Sequence, residues 1–450
     1  MARSGGGNCC SLPNGVRARS VALAKWSASL FVKFISNLNL NQTNDHLQLS
    51  SQHFRLNRRN TMTEMLKTQA IVSRDTLQNG GWKFEDVRVR QPREGEVLVK
   101  MVATGICHSD VFAGSVPKGA SPLAVYPRVL GHEGGGYVVA VGPGVTVASV
   151  NDPVLLSFAS CQSCFHCKSG VPATCKDFLA WNTLSFDKVF TSDTLPDDAT
   201  PDITGTFFSQ SSFAKLSIVK QSSIVNAKEL IKDKSELQLF APLGCGAQTG
   251  AGSVTKVAEA GPKDSMTVIG LGGVGMGALM AARLRECHTI IAIDRVPSRL
   301  ALARELGATH TIDTTDTPPG EELVNAIRKV TEGLGTSVTI ETTGVPDLTE
   351  SGYEATRARG KHIQIGISPD LSYEVKFGLA RGNLFANKSF IGAVEGWADP
   401  REFIPQMIQW YREGRFPLEK MVKFSPAKDF QRALDDMHRG ATIKPVILWD

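Results

Sequence analysis

Much that would betray an unusual protein is missing from this 450-residue chain. A charge excess is absent: 49 Lys and Arg against 44 Asp and Glu leave +5, partly in the N-terminal segment. So weak a field gives no reason to expect a nucleic-acid partner. No apolar run is long enough to span a bilayer, since the best stretch, residues 21–35, is broken by Lys25 and Lys33. There is no internal repeat. Hydrophobic content of 42% and charged content of 21% exclude a disordered chain. The length exceeds what one core usually serves, so two domains are expected. Nine cysteines, most of them in metal-like contexts, suit a reducing compartment better than a secreted disulfide scaffold.

Acidic residues are missing altogether from positions 1–44, which hold Arg3, Arg17, Arg19, Lys25, Lys33 and many serines. That is the composition of a mitochondrial transit peptide. The favoured alternative is translation from Met62 or Met65, with residues 1–61 a disordered or mis-assigned extension, because regular structure begins near Lys67. A cytoplasmic location follows from the second reading and a mitochondrial one from the first. Cys9 and Cys10 have no histidine nearby and are assigned no metal.

What is present divides in two. From Thr68 to about Phe240, short strand-like runs such as Val97-Leu-Val-Lys-Met-Val and Gly136-Tyr-Val-Val-Ala-Val alternate with Gly and Pro turns, and long helices are lacking. Near Pro262 the pattern changes. Ser265-Met-Thr-Val-Ile reads as a strand, Met276 to Glu286 as a helix and Thr289-Ile-Ile-Ala-Ile as a second strand. Alternation continues to about Ala386, as in βα units of a parallel sheet. Glu402 to Arg412 and Ala427 to His438 read as amphipathic helices, and Pro445 to Trp449 as a closing strand.

Three constellations carry chemistry. Cys161, Cys164, Cys167 and Cys175 have the spacing of a closed Cys₄ structural zinc site, which a disulfide pair or a buried cysteine cluster does not need. Gly270-Leu271-Gly272-Gly273-Val274-Gly275 fits G-x-G-x-x-G between a strand and a helix, where glycines admit a pyrophosphate to the backbone and to the helix N-terminus. Asp294 ends the next strand, placed to accept from both ribose hydroxyls. This favours NAD(H), with NADP(H) admitted through Arg295 if Asp294 turns aside. Finally, Cys107, His132 and Cys245 offer two thiolates and an imidazole, leaving a fourth position open as a catalytic zinc requires.

Taken together, G-x-C-H-S-D, G-H-E, C-x₂-C-x₂-C-x₇-C, G-C-G-x-x-T-G and G-x-G-G-x-G make the chain from about Met65 onward resemble the zinc-dependent alcohol dehydrogenases of the medium-chain dehydrogenase/reductase superfamily. The stretch from Glu395 to Pro405, with Gly414-Arg-Phe-Pro, is similar to the aryl (benzyl) alcohol dehydrogenase branch. The resemblance implies an α/β architecture: a mostly-β GroES-like catalytic domain (62–240 and 387–450) around a Rossmann doubly wound sheet (241–386). It implies two zinc ions per chain, catalytic at Cys107, His132 and Cys245, structural at the four clustered cysteines. Ser109 would bond the substrate oxygen, Asp110 orient the histidine ligand and Glu133 lie behind the metal. Thr249 would pack near the nicotinamide, Arg299 reach the adenosine ribose and Lys388 contact the pyrophosphate. The implied substrate is a small alcohol or aldehyde, primary and aromatic or bulky and apolar, and the implied assembly a homo-dimer or homo-tetramer. A polyol- or formaldehyde-type dehydrogenase, or a non-catalytic zinc- and nucleotide-binding protein, are the alternatives.

Two departures stand out. Many relatives carry a relay histidine where this chain has Phe112, so proton exit falls to His108, cofactor hydroxyls or water. Asn151-Asp-Pro153 replaces a more usual Gly-Asp-His or Gly-Asp-Arg. The segment from Trp181 to Phe208, with Phe186, Phe190 and Phe207, is either a surface loop with core aromatics or a wall of an apolar pocket.

Overall fold

The strand Ser265–Ile269 is buried along its whole length, as a strand covered on both faces must be. It lies between Thr289–Asp294 and Thr336–Glu341 in a six-stranded, all-parallel sheet. Sheet order is His310–Asp313, Thr289–Asp294, Ser265–Ile269, Thr336–Glu341, Thr356–Gln364, Ser389–Gly392, the doubly wound order with a switch point beside the first strand. The computed structural model describes residues 65–121, 124–196, 201–368, 370, 372–376 and 378–450. Residues 1–61, with Cys9, Cys10 and the expectations attached to them, lie outside this set, as does Met62.

Ser389–Gly392 pairs in register with Thr356–Gln364 and so belongs to this sheet. The expected domain limit at Ala386 therefore falls short of the last strand. That strand has four half-buried or exposed residues and no apolar run to announce it. The expected helix from Met276 begins earlier, with Gly273–Leu284 running directly out of the glycine turn.

The remaining strands form two assemblies. Leu66–Ser73, Trp82–Val89, Lys188–Ser192, Ile203–Thr204 and Arg128–Val129 close a small barrel. A seven-stranded sheet contains Glu96–Gly105, Gly134–Val141 and, from the far end of the chain, Lys444–Leu448. The last of these runs antiparallel to Glu96–Gly105, with Val446 opposite Gly105. The C-terminus is thus built into the same sheet as the corner carrying Cys107. A core including Phe158, Phe190 and Phe213 underlies the β part, and a larger one including Phe240, Met276 and Phe403 the α/β part. No helix of the described residues is long and apolar enough to cross a membrane.

Candidate metal centre and nucleotide site

Cys107 caps the six-residue helix His108–Ala113 that follows the strand Glu96–Gly105. Its backbone N–H donates to Asp110 Oδ2 at 3.0 Å. The other oxygen, Oδ1, accepts from Gly131 N–H at 2.9 Å and pairs with His132 Nδ1 at 2.9 Å. One buried carboxylate thereby fixes two separate segments. Pairing at Nδ1 leaves His132 Nε2 as the free nitrogen, and that atom is buried without a hydrogen-bond partner. A buried polar atom left orphaned demands an explanation, and a metal ion supplies one.

Cys107, His132, Glu133 and Cys245 each bring a ligand atom within 4.8 Å of the others, all four buried or nearly so. The hydrogen bond with Cys245 holds the Cys107 thiol well below its ordinary range, against the cost of burial and helped by Lys444 and His132. The same bond, with burial, pushes Cys245 up. Ser109 Oγ stands half-buried 3.8 Å from Cys107 Sγ, and His108 is solvent-exposed beside it. Two aromatic rings close one side. Phe208 stacks on the His132 imidazole at 4.5 Å and Phe207 meets it edge-on at 5.5 Å. Left-handed backbone at Thr206, Phe208, Ser209 and Ser211 presents them there. The aromatic segment thus divides: Phe190 is core and Trp181 lies under Lys220, while Phe207 and Phe208 at its end pack on a metal ligand.

Behind the cluster lies a residue that the sequence did not single out. Lys444 Nζ is 2.8 and 2.9 Å from the two oxygens of Glu133, with both side chains buried. It also crowds the nucleotide turn, since a Cβ added to Gly273 would meet Lys444 Cε at 3.0 Å. The only signal for it in the sequence is a lysine opening an otherwise apolar terminal strand.

The second cluster is compact. Cys164 and Cys167 Sγ are 3.5 Å apart, Cys161 and Cys167 Sγ 3.9 Å, and all four sulfurs lie within 4.8 Å. Tetrahedral Zn–S bonds of about 2.3 Å imply sulfur separations of about 3.8 Å. Backbone N–H groups of Cys161 and Asp177 donate to Cys175 Sγ at 3.4 Å, stabilising thiolate charge. Zinc fits both clusters.

The glycine turn has the shape a dinucleotide needs. Gly270 takes φ +85°, and a Cβ on Gly275 would lie 1.8 Å from the Gly270 carbonyl oxygen, so only glycine allows this crossing. A Cβ on Gly272 meets nothing within 4 Å, leaving a cradle at the N-terminus of Gly273–Leu284. Leu271 is buried, and its N–H donates to Asp294 Oδ2 at 2.7 Å; Oδ1 accepts from Arg295 and Val296 N–H at 2.7 and 3.0 Å. Arg299 Nη1 stands 3.8 Å from Asp294. Thr249 is buried on the helix Gly246–Gly252, which crosses Gly273–Leu284 so closely that a Cβ on Gly250 would lie 2.0 Å from Val274 O.

Lys388 is a correction. Its ammonium donates to the carbonyls of Tyr353 and Glu354 at 3.0 and 3.1 Å and lies over the Tyr353 ring. It precedes the strand Ser389–Gly392, whereas the glycine turn follows its strand. In a parallel sheet those are opposite edges, so Lys388 does not reach a pyrophosphate at the turn.

Known proteins agree with this geometry. Residues 93–229 match the family model "Alcohol dehydrogenase GroES-like domain" and residues 273–413 match "Zinc-binding dehydrogenase". Geraniol dehydrogenase of Castellaniella defragrans is 34% identical over 392 residues, 87% of this chain and 100% of that protein. S-(hydroxymethyl)glutathione dehydrogenase of a Synechocystis species is 33% identical over 368 residues, 80% of this chain and 95% of that one. The crystal structure of benzyl alcohol dehydrogenase from Acinetobacter calcoaceticus superposes with a TM-score of 0.74 at 34% identity, covering 85% of this chain and 99% of that one. The chain belongs to the zinc-dependent alcohol dehydrogenases of the medium-chain dehydrogenase/reductase superfamily, enzymes built from a GroES-like domain and an NAD(P)-binding domain.

Proposed function

We propose that this enzyme interconverts a primary alcohol, aromatic or otherwise bulky and apolar, with its aldehyde, using NAD(H) in preference to NADP(H). The observation that carries the substrate class is the pair Phe207 and Phe208 packed on the His132 imidazole. Their rings give the metal centre an apolar flank that suits a planar or prenyl-like side chain. The preference for NAD(H) rests on Asp294, which backbone N–H groups hold at both oxygens. So anchored, it does not turn aside to let Arg295 take a 2′-phosphate.

Cys107, His132 and Cys245 hold the catalytic zinc in this reading, and Cys161, Cys164, Cys167 and Cys175 the structural one, giving two per chain. Bound there, zinc supplies Lewis-acid polarisation of the substrate oxygen, and the nicotinamide supplies the hydride acceptor or donor. The chain's own residues do the rest. Asp110 keeps the His132 proton on Nδ1, so that Nε2 can ligate. Ser109 accepts the alcohol proton on Oγ and passes it on. With Phe112 in place of a relay histidine, that proton leaves through exposed His108, cofactor hydroxyls or water. Lys444 neutralises Glu133 behind the metal and offers a cation beside the pyrophosphate cradle. Gly270, Gly272, Gly273 and Gly275 seat the pyrophosphate, Asp294 and Arg299 the adenosine ribose, and Thr249 the nicotinamide side.

On this reading residues 62–240 and those after Gly392 make the catalytic part, with the nucleotide part between them. A homo-dimer or homo-tetramer in the cytoplasm is the proposed state, and the seven free cysteines of the described residues suit a reducing compartment. Relatives named for S-(hydroxymethyl)glutathione support a formaldehyde-type rival, which the two rings on His132 disfavour. A panel of benzyl-type, prenyl-type and short aliphatic alcohols, polyols and S-(hydroxymethyl)glutathione, each with NAD⁺ and NADP⁺, separates the readings. The highest kcat/KM is expected for an aromatic or prenyl-type alcohol with NAD⁺. Preference for S-(hydroxymethyl)glutathione or a polyol would overturn the assignment.

A further inference from the structure

Beside the metal centre, three consecutive residues adopt left-handed backbone: Glu395 (φ 51°), Gly396 (φ 62°) and Trp397 (φ 54°). Only one is glycine, and such conformations persist where the surroundings force them, often at functional sites. The force here is contact with the helix Gly246–Gly252, which begins directly after Cys245. A Cβ on Gly396 would meet Gly252 Cα at 2.7 Å and the Gln248 carbonyl oxygen at 2.8 Å. Pressed down this way, the turn delivers the Glu395 carboxyl into a buried position. Its Oε2 accepts from Gln248 Nε2 at 3.1 Å and from Thr249 Oγ1 at 3.4 Å.

Glu395 forms no ion pair with another described residue. Burying an acid is costly, and an apolar side chain would fill the same space more cheaply. The value of the acid therefore lies in what its oxygens hold. Both donors belong to one turn of helix, and that turn carries two residues of the hydride-transfer site, Cys245 at its head and Thr249 within it.

We propose that Glu395 is a positioning residue of the hydride-transfer site: as a shared acceptor for Gln248 and Thr249, it fixes the helical turn that presents Cys245 to the metal and Thr249 to the nicotinamide. It acts from the connection that leaves the sixth strand of the nucleotide sheet, so it ties that sheet to the metal centre. The inference rests on reading Cys107, His132 and Cys245 as the catalytic zinc site.

Glu395→Gln keeps an acceptor oxygen and removes the charge, whereas Glu395→Ala removes the acceptor. Two readouts apply to the full-length protein besides turnover: transfer of zinc to a colorimetric chelator, and the visible bands of protein carrying cobalt(II) at the catalytic site. In Glu395→Ala the more labile zinc should be held about 10–100-fold more weakly, the usual cost of losing a group that orients ligands. Its cobalt bands should shift and kcat fall, with the tightly held zinc retained. Glu395→Gln should restore bands, zinc retention and turnover. Glu395→Asp, which withdraws the oxygens by one methylene, should shift the bands if the alanine variant does not fold. Wild-type bands and zinc retention in Glu395→Ala would overturn the proposal. So would a glutamine variant as impaired as alanine, since charge rather than acceptor geometry would then be the cause. A wild-type protein holding one zinc would overturn the metal reading itself, a failure visible before any variant is made.

Discussion

Lys444 and Glu133 form a buried ion pair, with the ammonium 2.8 and 2.9 Å from the two carboxylate oxygens. Burial, with the nearby Cys107 charge, pushes the Glu133 carboxyl up, and Lys444 and His132 oppose that shift. Lys444→Met leaves the carboxylate uncompensated and should cost about 3–5 kcal/mol, as broken buried pairs do. Urea unfolding of the zinc-loaded protein checks this as a lowered midpoint. The double variant Lys444→Met/Glu133→Gln should recover part of the loss, and a wild-type midpoint in the single variant would show that the pair is not held as described.

Removing one structural ligand should cost both metal and stability. Cys161→Ala should reduce zinc from two ions to one per chain by elemental analysis and lower the thermal midpoint, because a closed Cys₄ site contributes folding energy directly. Full metal content in a stable Cys161→Ala protein would contradict the division into two sites.

Both candidate metal clusters were legible in the sequence, Cys161 to Cys175 as one local run and Cys107, His132 and Cys245 as three short motifs that only the fold brings within 4.8 Å. The glycine turn was legible as a local run too, with Asp294 at a fixed offset from it. Lys444 was not, since its partner lies 311 residues away and only the antiparallel pairing of the C-terminal strand with Glu96–Gly105 brings them together. Lys388 misled because resemblance located it near the nucleotide sheet without saying at which edge. The aromatic segment could not be divided in advance: what sends Phe208 to His132 and Phe190 into the core is left-handed backbone at non-glycine positions, which composition does not reveal.

Coenzyme preference should turn on Asp294. Asp294→Gly removes the ribose acceptor and the charge that repels a 2′-phosphate. NAD⁺ should bind more weakly and NADP⁺ more tightly, with Arg295 then serving the phosphate. Fluorescence titration with both reduced coenzymes measures the change. A wild-type protein that already prefers NADP(H) would reverse this reading.

Acid should weaken the nucleotide domain through His362. Its ring is fully buried, stacked on Phe390 at 4.9 Å, with Nδ1 unpaired and Nε2 3.1 Å from Gln364 Oε1. Burial lowers its pKa to about 4. The unfolded chain therefore binds a proton that the folded one refuses between about pH 6.5 and 4, and stability falls as pH drops through that window. The full effect is about 3 kcal/mol. Urea midpoints from pH 4.5 to 7.5 should slope less steeply in His362→Gln than in wild type. Equal slopes would mean that this histidine does not titrate on unfolding.

The most direct test of the mechanism is steady-state oxidation of a benzyl-type alcohol by Ser109→Ala from pH 6 to 10, with two zinc ions per chain confirmed. Ser109 ligates neither metal nor coenzyme in this account, so zinc content and NAD⁺ binding should match wild type. Turnover should nevertheless fall by about 10²–10⁴-fold, the usual worth of a positioned proton-transfer group. Ser109→Thr, which keeps the hydroxyl, should retain activity. Wild-type turnover in zinc-replete Ser109→Ala would contradict the account and leave the alcohol proton passing directly to water.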